Sequence, residues 1–207
     1  MAQLMDRASM PLLMVDRVLP EIGVPSVSLD NLKAGRLAAA HLIEHGFDKV
    51  GCLRGDRNSY TDQERFRGVV DELEKNGFSL NPEFVCGDGY DYESSLAEAQ
   101  KLLCGRDLPD AVIALGGQGI LSILETSKAN LIGIPDDLSV VAFDEQPWSS
   151  FVSPPLTTIS QPTEEMAKVA AESLLSLLGI RNESAESILL SASLISRHSV
   201  QSRGARK

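Results

Sequence analysis

Short apolar runs alternate along the chain with longer segments in which apolar residues recur every three or four positions. The short runs predict buried strands at residues 11–15, 26–29, 49–54, 84–86, 111–115, 138–143, 156–159 and 188–196. The longer segments predict helices around residues 34–42, 66–73, 96–103, 120–124 and 166–177. Alternation of strand and helix is typical of βαβ units, which build a parallel sheet with right-handed crossovers. The pattern therefore predicts an α/β fold with parallel sheets flanked by helices.

The loops that follow the predicted strands carry most of the polar side chains with binding chemistry. Because the carboxyl ends of parallel strands meet at one edge of a sheet, these loops are expected to share a rim that faces a ligand. The candidate ligand-binding residues on this rim are Asp16, Arg17, Ser59, Thr61, Arg65, Tyr90, Gly116, Gly117 and Asp144. A carboxylate accepts hydrogen bonds from neighbouring hydroxyls, an arginine fork donates to two oxygens, and an aromatic face covers apolar C–H surface. Such a set favours a small polyol or sugar as the ligand.

Each of these side chains also has a purely structural interpretation. Asp16 and Arg17 are equally consistent with a structural ion pair. Arg65 lies among charged neighbours on a predicted helix, so solvent exposure is its simplest interpretation. Tyr90 alone is more typical of a packing residue, and Asp144 alone is typical of a residue that caps the following loop. The residue pattern leaves these alternatives open.

Charge and cysteine content narrow the class of protein. The 207 residues include 29 acidic and 19 basic side chains, for a net charge of −10, and such an acidic chain is a poor nucleic-acid binder by itself. Three scattered cysteines without a CxxC pair argue against a disulfide framework and a zinc site, and they favour the cytoplasm. No apolar run approaches the roughly 18 residues of a membrane span, and the N-terminal segment lacks the pattern of a signal peptide.

Neither catalysis nor a bound cofactor is predicted. His41 and His45 have a spacing that metal sites use, but no third ligand lies nearby in sequence, so an ordinary helix face is favoured. The chain has no G-x-S-x-G elbow, no G-x-G-x-x-G fingerprint and no phosphate-binding loop. An enzyme on a doubly wound fold is therefore the weaker alternative, and no catalytic residue, metal ligand or cofactor is assigned.

Residues 134–162 carry a family resemblance and read IPDDLSVVAFDE, then QPWSSFVS, then PPLTTISQP. This stretch resembles the end of the effector-binding core of the LacI/GalR family of bacterial transcription regulators. Similar motifs occur across most of the chain, namely PLLMVDR, VSLDNLKAGRLAAAHLIEHGFDKVGCLRG, QERFRGVVDELEKNGF, GDGYDYESS and LISRHS. The resemblance implies a two-lobed fold of the type I periplasmic-binding-protein kind, and it implies a small-molecule effector that is a sugar or a related compound.

The resemblance also implies roles for individual residues. Arg65 stands at the position of the family's ligand-binding arginine, and Asp144 stands at the position of its pocket carboxylate. Tyr90 falls in the loop that supplies an aromatic side chain to the pocket. Asp16 matches another polar position of the pocket.

Two further loops resemble the family's ligand-binding loops less closely. Ser59 and Thr61 fall where the family often lends hydroxyl groups to the ligand. After the strand at 111–115 the family usually carries an Asn-Asp or Ser-Asp pair, whereas this chain has Gly116 and Gly117. Two glycines leave only backbone groups for hydrogen bonding. A standard pyranose site is therefore not implied, and a larger, differently oriented or absent effector stays open.

The resemblance divides the chain into lobes. Residues 1–27 and 159–181 are assigned to a partial first lobe, residues 28–158 and 182–200 to the second lobe, and residues 201–207 to a tail. The family's helix-turn-helix domain and the opening strands of its first lobe are expected to lie outside this chain. A first lobe so reduced leaves apolar surface uncovered, which favours either a homodimer or an unstable protein.

The leading hypothesis is the effector-binding core of a LacI/GalR-type transcriptional regulator, usually a repressor, that acts in the cytoplasm. Effector binding is expected to change the angle between the lobes and thereby the affinity for DNA, which the helix-turn-helix domain of a full-length relative contacts. The alternative with the same fold is the solute-binding protein of a sugar transporter, which requires export.

Overall fold

A computed structural model describes residues 10–89, 91–180 and 186–205. In this part of the chain the strands are β1 (Met14–Val15), β2 (Ser26–Leu29), β3 (Val50–Leu53), β4 (Val85–Cys86), β5 (Ala111–Ala114), β6 (Ser139–Phe143), β7 (Thr157–Ser160), β8 (Ile188–Leu190) and β9 (Ser193–Ile195). The α-helices are α1 (Asn31–Glu44), α2 (Tyr60–Lys75), α3 (Tyr92–Leu103), α4 (Gly117–Ala129) and α5 (Thr163–Leu177). Each helix begins several residues before its predicted apolar stripe, because the first turns are polar or glycine-rich and carry no periodic signal.

The chain folds into two compact units. It passes from one unit to the other between Asp30 and Asn31, between Gln161 and Pro162, and between Ser191 and Ala192. The first unit therefore contains the described residues up to Asp30 and those between the last two crossings, and the second unit contains the rest. Residues 186–191 belong to the first unit, whereas the sequence-based assignment placed residues 182–200 in the second lobe.

The first unit contains a small parallel sheet with strand order β1–β2–β8. Helix α5 packs against the central strand β2, whose Val27 and Leu29 side chains are fully buried. The single strand predicted over residues 188–196 is wrong. It is two strands, β8 in this sheet and β9 in the sheet of the second unit. A continuous apolar run indicates that a segment is buried, but it does not indicate that the segment leaves one sheet and joins another.

The second unit is built on a six-stranded sheet with strand order β4–β3–β5–β6–β7–β9. All neighbouring pairs are parallel except the last, in which β9 runs antiparallel to β7. The predicted α/β fold with parallel sheets flanked by helices is confirmed, with one antiparallel edge strand. Helices α3 and α4 pack together, and α1 packs against α2.

The central strands β5 and β6 are buried along their whole length. Alternate residues of these strands, such as Val112 and Val140, join one hydrophobic cluster with residues of α3 and α4. The residues between them, including Ile113 and Val141, face the other side because side chains alternate along a strand. Burial on both faces explains why these strands read as continuous apolar runs in the sequence.

No helix among residues 10–89, 91–180 and 186–205 combines the length and apolar character needed to cross a membrane.

Candidate functional site

Arg65 lies on the inner face of α2, and only 5% of its surface is exposed. Its Nε donates to Asn31 Oδ1 at 2.8 Å, and its Nη1 donates to the Leu115 carbonyl oxygen at 2.8 Å. The guanidinium carbon lies 4.5 Å from the centre of the Phe143 ring, which places a cation over an aromatic face. The interpretation of Arg65 as a solvent-exposed helix residue is therefore wrong. Its contacts hold the planar fork in one orientation.

Asp144 directly follows β6 and has a positive φ of 69°, a backbone conformation that aspartate tolerates better than most residues. Its backbone N–H donates to the Ile159 carbonyl oxygen at 3.0 Å. Its Oδ1 accepts a hydrogen bond from Gln161 Nε2 at 2.6 Å and lies 3.6 Å from Arg65 Nη2. The side chain is 28% exposed. These contacts use Oδ1, so Oδ2 is the oxygen best placed to accept a hydrogen bond from a ligand.

Gly116 and Gly117 follow β5, next to the carbonyl oxygen that Arg65 contacts. Gly116 is the N-cap of α4, and Gly117 is its first residue. A Cβ built on either glycine would meet no atom within 4 Å, so the space beside them is open. The first-turn amides of a helix have no partner within the helix, and such groups suit a ligand oxygen.

Ser59 and Thr61 flank the start of α2. Ser59 is its N-cap, although its side chain makes no capping hydrogen bond, and Thr61 lies in the first turn. Both are partly exposed. The apolar pattern predicts this helix only from residue 66, whereas the helix begins at Tyr60.

A buried ion pair fixes the loop between β3 and α2. Asp62 accepts hydrogen bonds from Arg54 Nε at 2.8 Å, from Arg54 Nη2 at 2.6 Å and from the Gly55 backbone N–H at 2.9 Å. The side chains of Arg54 and Asp62 are 10% and 4% exposed. Neither residue was among the predicted site residues. Their positions, one just after a strand and the other in a helix's first turn, were the available signal.

A second ion pair fixes the loop after β6. Glu145 accepts from Arg197 Nη2 at 2.7 Å and from Arg197 Nη1 at 3.0 Å, and it also accepts from the Thr158 hydroxyl. Arg197 Nη1 also donates to the Leu156 carbonyl oxygen at 2.7 Å. The hydrogen bonds from Arg197 are the main reason why the pKa of Glu145 is lowered. This pair ties the residue next to Asp144 to the neighbouring strand and to the segment after β9.

The structure brings together a subset of the predicted residues. Arg65, Gly116, Gly117 and Asp144 lie beyond the carboxyl ends of β3, β5 and β6, which are neighbours in the sheet of the second unit. This agrees with the expected position of ligands in open parallel sheets.

The remaining predicted residues lie elsewhere. Asp16 and Arg17 belong to the first unit, where Asp16 ends β1 with a φ of 66° and donates its backbone N–H to Val27. Tyr90 lies outside the described residues.

Sequence reasoning missed the residues that orient the Arg65–Asp144 pair, which are Asn31, Phe143 and Gln161. The signal for all three was their place at the ends of strands β2, β6 and β7.

His41 and Cys52 are buried in the part of the chain that the structure describes. No group of three or more His, Cys, Asp and Glu residues there could hold a metal ion. His41 is buried, which lowers its pKa, and its ring centre lies 4.3 Å from that of His45. Burial raises the pKa of the Cys52 thiol to about 12, which disfavours its reactive thiolate form.

An arginine and a carboxylate beyond the strand ends of a parallel sheet are typical of proteins that bind a small molecule there. The chain is a member of the periplasmic binding protein-like domain family, which matches residues 39–200. The predicted resemblance to LacI/GalR regulators is confirmed by its relatives. The transcriptional repressor CytR of Escherichia coli K12 is 30% identical over 191 residues, which cover 92% of this chain and 56% of CytR.

Solved structures of regulators share the fold. A complex of the transcriptional regulator CelR with cellobiose is 29% identical, has a TM-score of 0.85, and covers 95% of this chain and 61% of that chain. A LacI family regulator from Mycobacterium smegmatis is 26% identical with a TM-score of 0.86, covering 97% of this chain and 73% of that chain. This chain thus spans a little over half the length of the curated relatives that it matches.

Proposed function

We propose that this chain is the effector-binding core of a LacI/GalR-type transcriptional regulator, usually a repressor. The observation that carries the proposal is the pairing of Arg65 with Asp144 beyond the strand ends, in a chain whose relatives are transcriptional regulators. The effector changes DNA affinity allosterically, and DNA is bound through a helix-turn-helix domain such as full-length regulators of this family carry. No catalytic role is proposed, and the site of action is the cytoplasm.

The effector that fits these groups is a sugar or a related polyol. Asp144 Oδ2 accepts from ligand hydroxyls, and the Arg65 fork donates to ligand oxygens. A Cβ on Gly116 or Gly117 would meet no atom within 4 Å, so these residues leave room for a ligand group. The CelR structure contains the disaccharide cellobiose, which supports a sugar as the class of effector. Ser59, Thr61, Asp16, Arg17 and Tyr90 remain proposed contributors.

The same fold also serves solute-binding proteins of sugar transporters. The regulator is favoured because relatives that match this chain include the repressor CytR, a ribose operon repressor and the transcriptional regulator DegA. Consumption of a sugar by the pure protein would instead favour an enzyme.

We also propose that the second unit forms a homodimer through an apolar face around a cavity of about 380 Å³. Leu124, Ile132, Ile134, Val152 and Pro154 contribute to the cavity lining. Leu131 and Phe151, which precede the lining residues Ile132 and Val152 in sequence, are 91% and 85% exposed. Exposed apolar side chains next in sequence to the lining of an apolar cavity suit a two-fold contact, in which each copy fills the cavity of the other.

A thermal-shift screen tests the effector proposal. The panel contains ribose, cellobiose, sugar phosphates, polyols and purines, and the variants are Arg65→Ala and Asp144→Ala. Arg67→Ala is the matched control, because Arg67 lies on the same helix and its side chain is 56% exposed. A ligand present at 100 times its Kd stabilises the folded state by about 2.7 kcal/mol, which raises the melting temperature by several degrees. The rise is expected in the wild type and in Arg67→Ala, and it is expected to vanish in both site variants. An unchanged rise in both would contradict the site.

A further inference from the structure

Two of the three crossings between the units occur next to residues that hold the candidate site. Asn31 is the first residue of the second unit after the crossing from Asp30. Gln161 is the last residue of that unit before the crossing to Pro162. Both residues therefore belong to the second unit, and each is joined to the first unit by one peptide bond.

Each of these residues contacts one member of the Arg65–Asp144 pair. Asn31 is 6% exposed, begins α1, and accepts the Arg65 Nε hydrogen bond at 2.8 Å. Gln161 follows β7 and donates from Nε2 to Asp144 Oδ1 at 2.6 Å. Because each bond has one charged partner, it is stronger and more directional than a bond between neutral groups.

We propose that Asn31 and Gln161 are positioning residues that couple the occupancy of the site to the two crossings beside them. A ligand that binds Arg65 and Asp144 changes how the guanidinium and the carboxylate share their hydrogen bonds. The bonds to Asn31 and Gln161 tighten or loosen in response, and the backbone at each crossing follows. The identity of the ligand rests on the function proposed above, whereas the coupling through these two bonds does not.

Helix α3 (Tyr92–Leu103) serves as an internal control within the second unit. The hydrogen bonds described for Arg65 and Asp144 do not involve this helix. The third crossing, between Ser191 and Ala192, is not independent of the other two, because the Asp30 N–H donates to the Leu190 carbonyl oxygen at 2.8 Å and Ser160 pairs with Ser193. A disturbance that spreads generally through the second unit would reach α3, whereas the proposed coupling reaches the crossings.

Hydrogen exchange without ligand tests the coupling directly. The full chain is compared with Arg65→Met and with Asp144→Gly, since glycine fits the left-handed backbone at 144. Arg65→Met is expected to speed exchange in peptides around residues 29–33 by about tenfold, and Asp144→Gly is expected to do so around 159–163. Peptides around residues 96–103 of α3 keep their wild-type rate. Wild-type rates at both site-linked crossings, or equal acceleration there and in α3, would overturn the proposal.

Isosteric variants separate positioning from packing. Asn31→Asp keeps an acceptor for Arg65, so exchange at 29–33 stays close to the wild type, whereas Asn31→Leu speeds it. Gln161→Glu has nearly the same shape but replaces the donor with a carboxylate that repels Asp144, so exchange at 159–163 rises. If Asp at 31 and Glu at 161 behaved alike, the two residues would act through shape alone and the proposal would be wrong.

The same hydrogen-exchange measurement in the presence of cellobiose tests whether ligand binding reaches the crossings. In the wild type and in Asn31→Asp, cellobiose is expected to slow exchange at both crossings. In Gln161→Glu it should leave exchange of the 159–163 peptides unchanged. In Asn31→Leu it should leave exchange of the 29–33 peptides unchanged. Slowing that persists in both of these variants would overturn the coupling. Absence of any thermal shift with the whole effector panel would count against the proposed function alone, because the ligand-free comparison still decides the coupling.

Discussion

Gly35 of α1 packs so closely against Arg65 of α2 that a Cβ on Gly35 would overlap the Arg65 carbonyl oxygen. The relationship is reciprocal, since a Cβ on Gly68 of α2 would overlap the Leu32 carbonyl oxygen of α1. The two helices therefore touch backbone to backbone at the turn that carries the candidate site arginine. The place of Arg65 is set by this contact as well as by the hydrogen bonds of its side chain.

Gly35→Ala is expected to destabilise the protein and to displace Arg65. The added methyl group cannot fit without separating α1 from α2, and overpacking of this kind costs about 1–3 kcal/mol. Urea unfolding measures the change, and the thermal shift with ligand should weaken in parallel. Gly204→Ala is the control, because a Cβ there meets no atom within 4 Å. Equal stability of the two variants would contradict the close contact.

The strands and helices could be predicted because burial on one or both faces gives each element a characteristic spacing of apolar residues. Ala111 to Ala114 and Ser139 to Phe143 are buried on both faces, and both were predicted within a residue. The close approach of the two helices at Gly35 could not be predicted, because the sequence does not show whether a glycine in a helix faces solvent or the backbone of another helix. The same limit applies to β8 and β9, where one apolar run serves two sheets.

The candidate site was predictable only in part for a similar reason. The strand-end rule points to Asp144 and to the glycine pair, since it depends on position along one strand. The partners of these residues come from segments far apart in the chain, such as Asn31 for Arg65 and Gln161 for Asp144. Spacing within the sequence does not encode such pairings.

Asp144→Asn and Asp144→Ala are expected to differ in stability although both remove the charge. Asparagine tolerates the positive φ of 69° at this position, whereas alanine does so at a cost of about 1 kcal/mol. Asp144→Ala also removes the acceptor for Gln161. Urea unfolding should therefore rank the wild type and Asp144→Asn close together, with Asp144→Ala lower by about 1–2 kcal/mol. Both variants should lose the ligand-induced thermal shift. Equal stability of the two variants would argue against backbone strain at this residue.

Removal of Asp62 should be among the most destabilising single changes in the second unit. Asp62→Ala leaves the buried Arg54 guanidinium without its carboxylate, and breaking a buried pair costs about 3–5 kcal/mol. Lys75→Ala is the matched control on the same helix, because it removes the 72% exposed member of an i,i+3 pair with Glu72. Loss of such an exposed lysine costs about 0.5 kcal/mol or less. A loss for Asp62→Ala as small as the control's would show that the Arg54 pair is not an important support of the loop.

The Glu145–Arg197 pair should make stability depend on pH on the acid side. Hydrogen bonds from Arg197 lower the pKa of Glu145 below its ordinary value of 4.5. A group whose pKa is lower in the folded state stabilises that state above its ordinary pKa, and this contribution is lost as the pH falls through the lowered value. Glu145→Gln should therefore cost about 2 kcal/mol at neutral pH and much less near pH ~3.

Unfolding curves of wild type and Glu145→Gln at both pH values measure this difference. Arg197→Met provides the control background, in which Glu145→Gln should have little effect at either pH because the donor is already gone. A difference between wild type and Glu145→Gln that stays constant with pH would contradict the assignment.

Phe151 is expected to be the main anchor of the proposed homodimer. Its side chain is 85% exposed, and the next residue, Val152, lines the apolar cavity. A large aromatic residue at the centre of an interface contributes much of the binding energy. Phe151→Glu should raise the dimer Kd by about 30-fold or more, measured by sedimentation equilibrium. Leu108→Glu is the matched control, because Leu108 is an exposed apolar residue of the same unit that does not line this cavity. Because two-fold contact puts each copy's Phe151 against the other's cavity, Val152→Glu should dissociate the dimer as well. A wild type that stays monomeric, or a control that dissociates as readily as Phe151→Glu, would refute this interface.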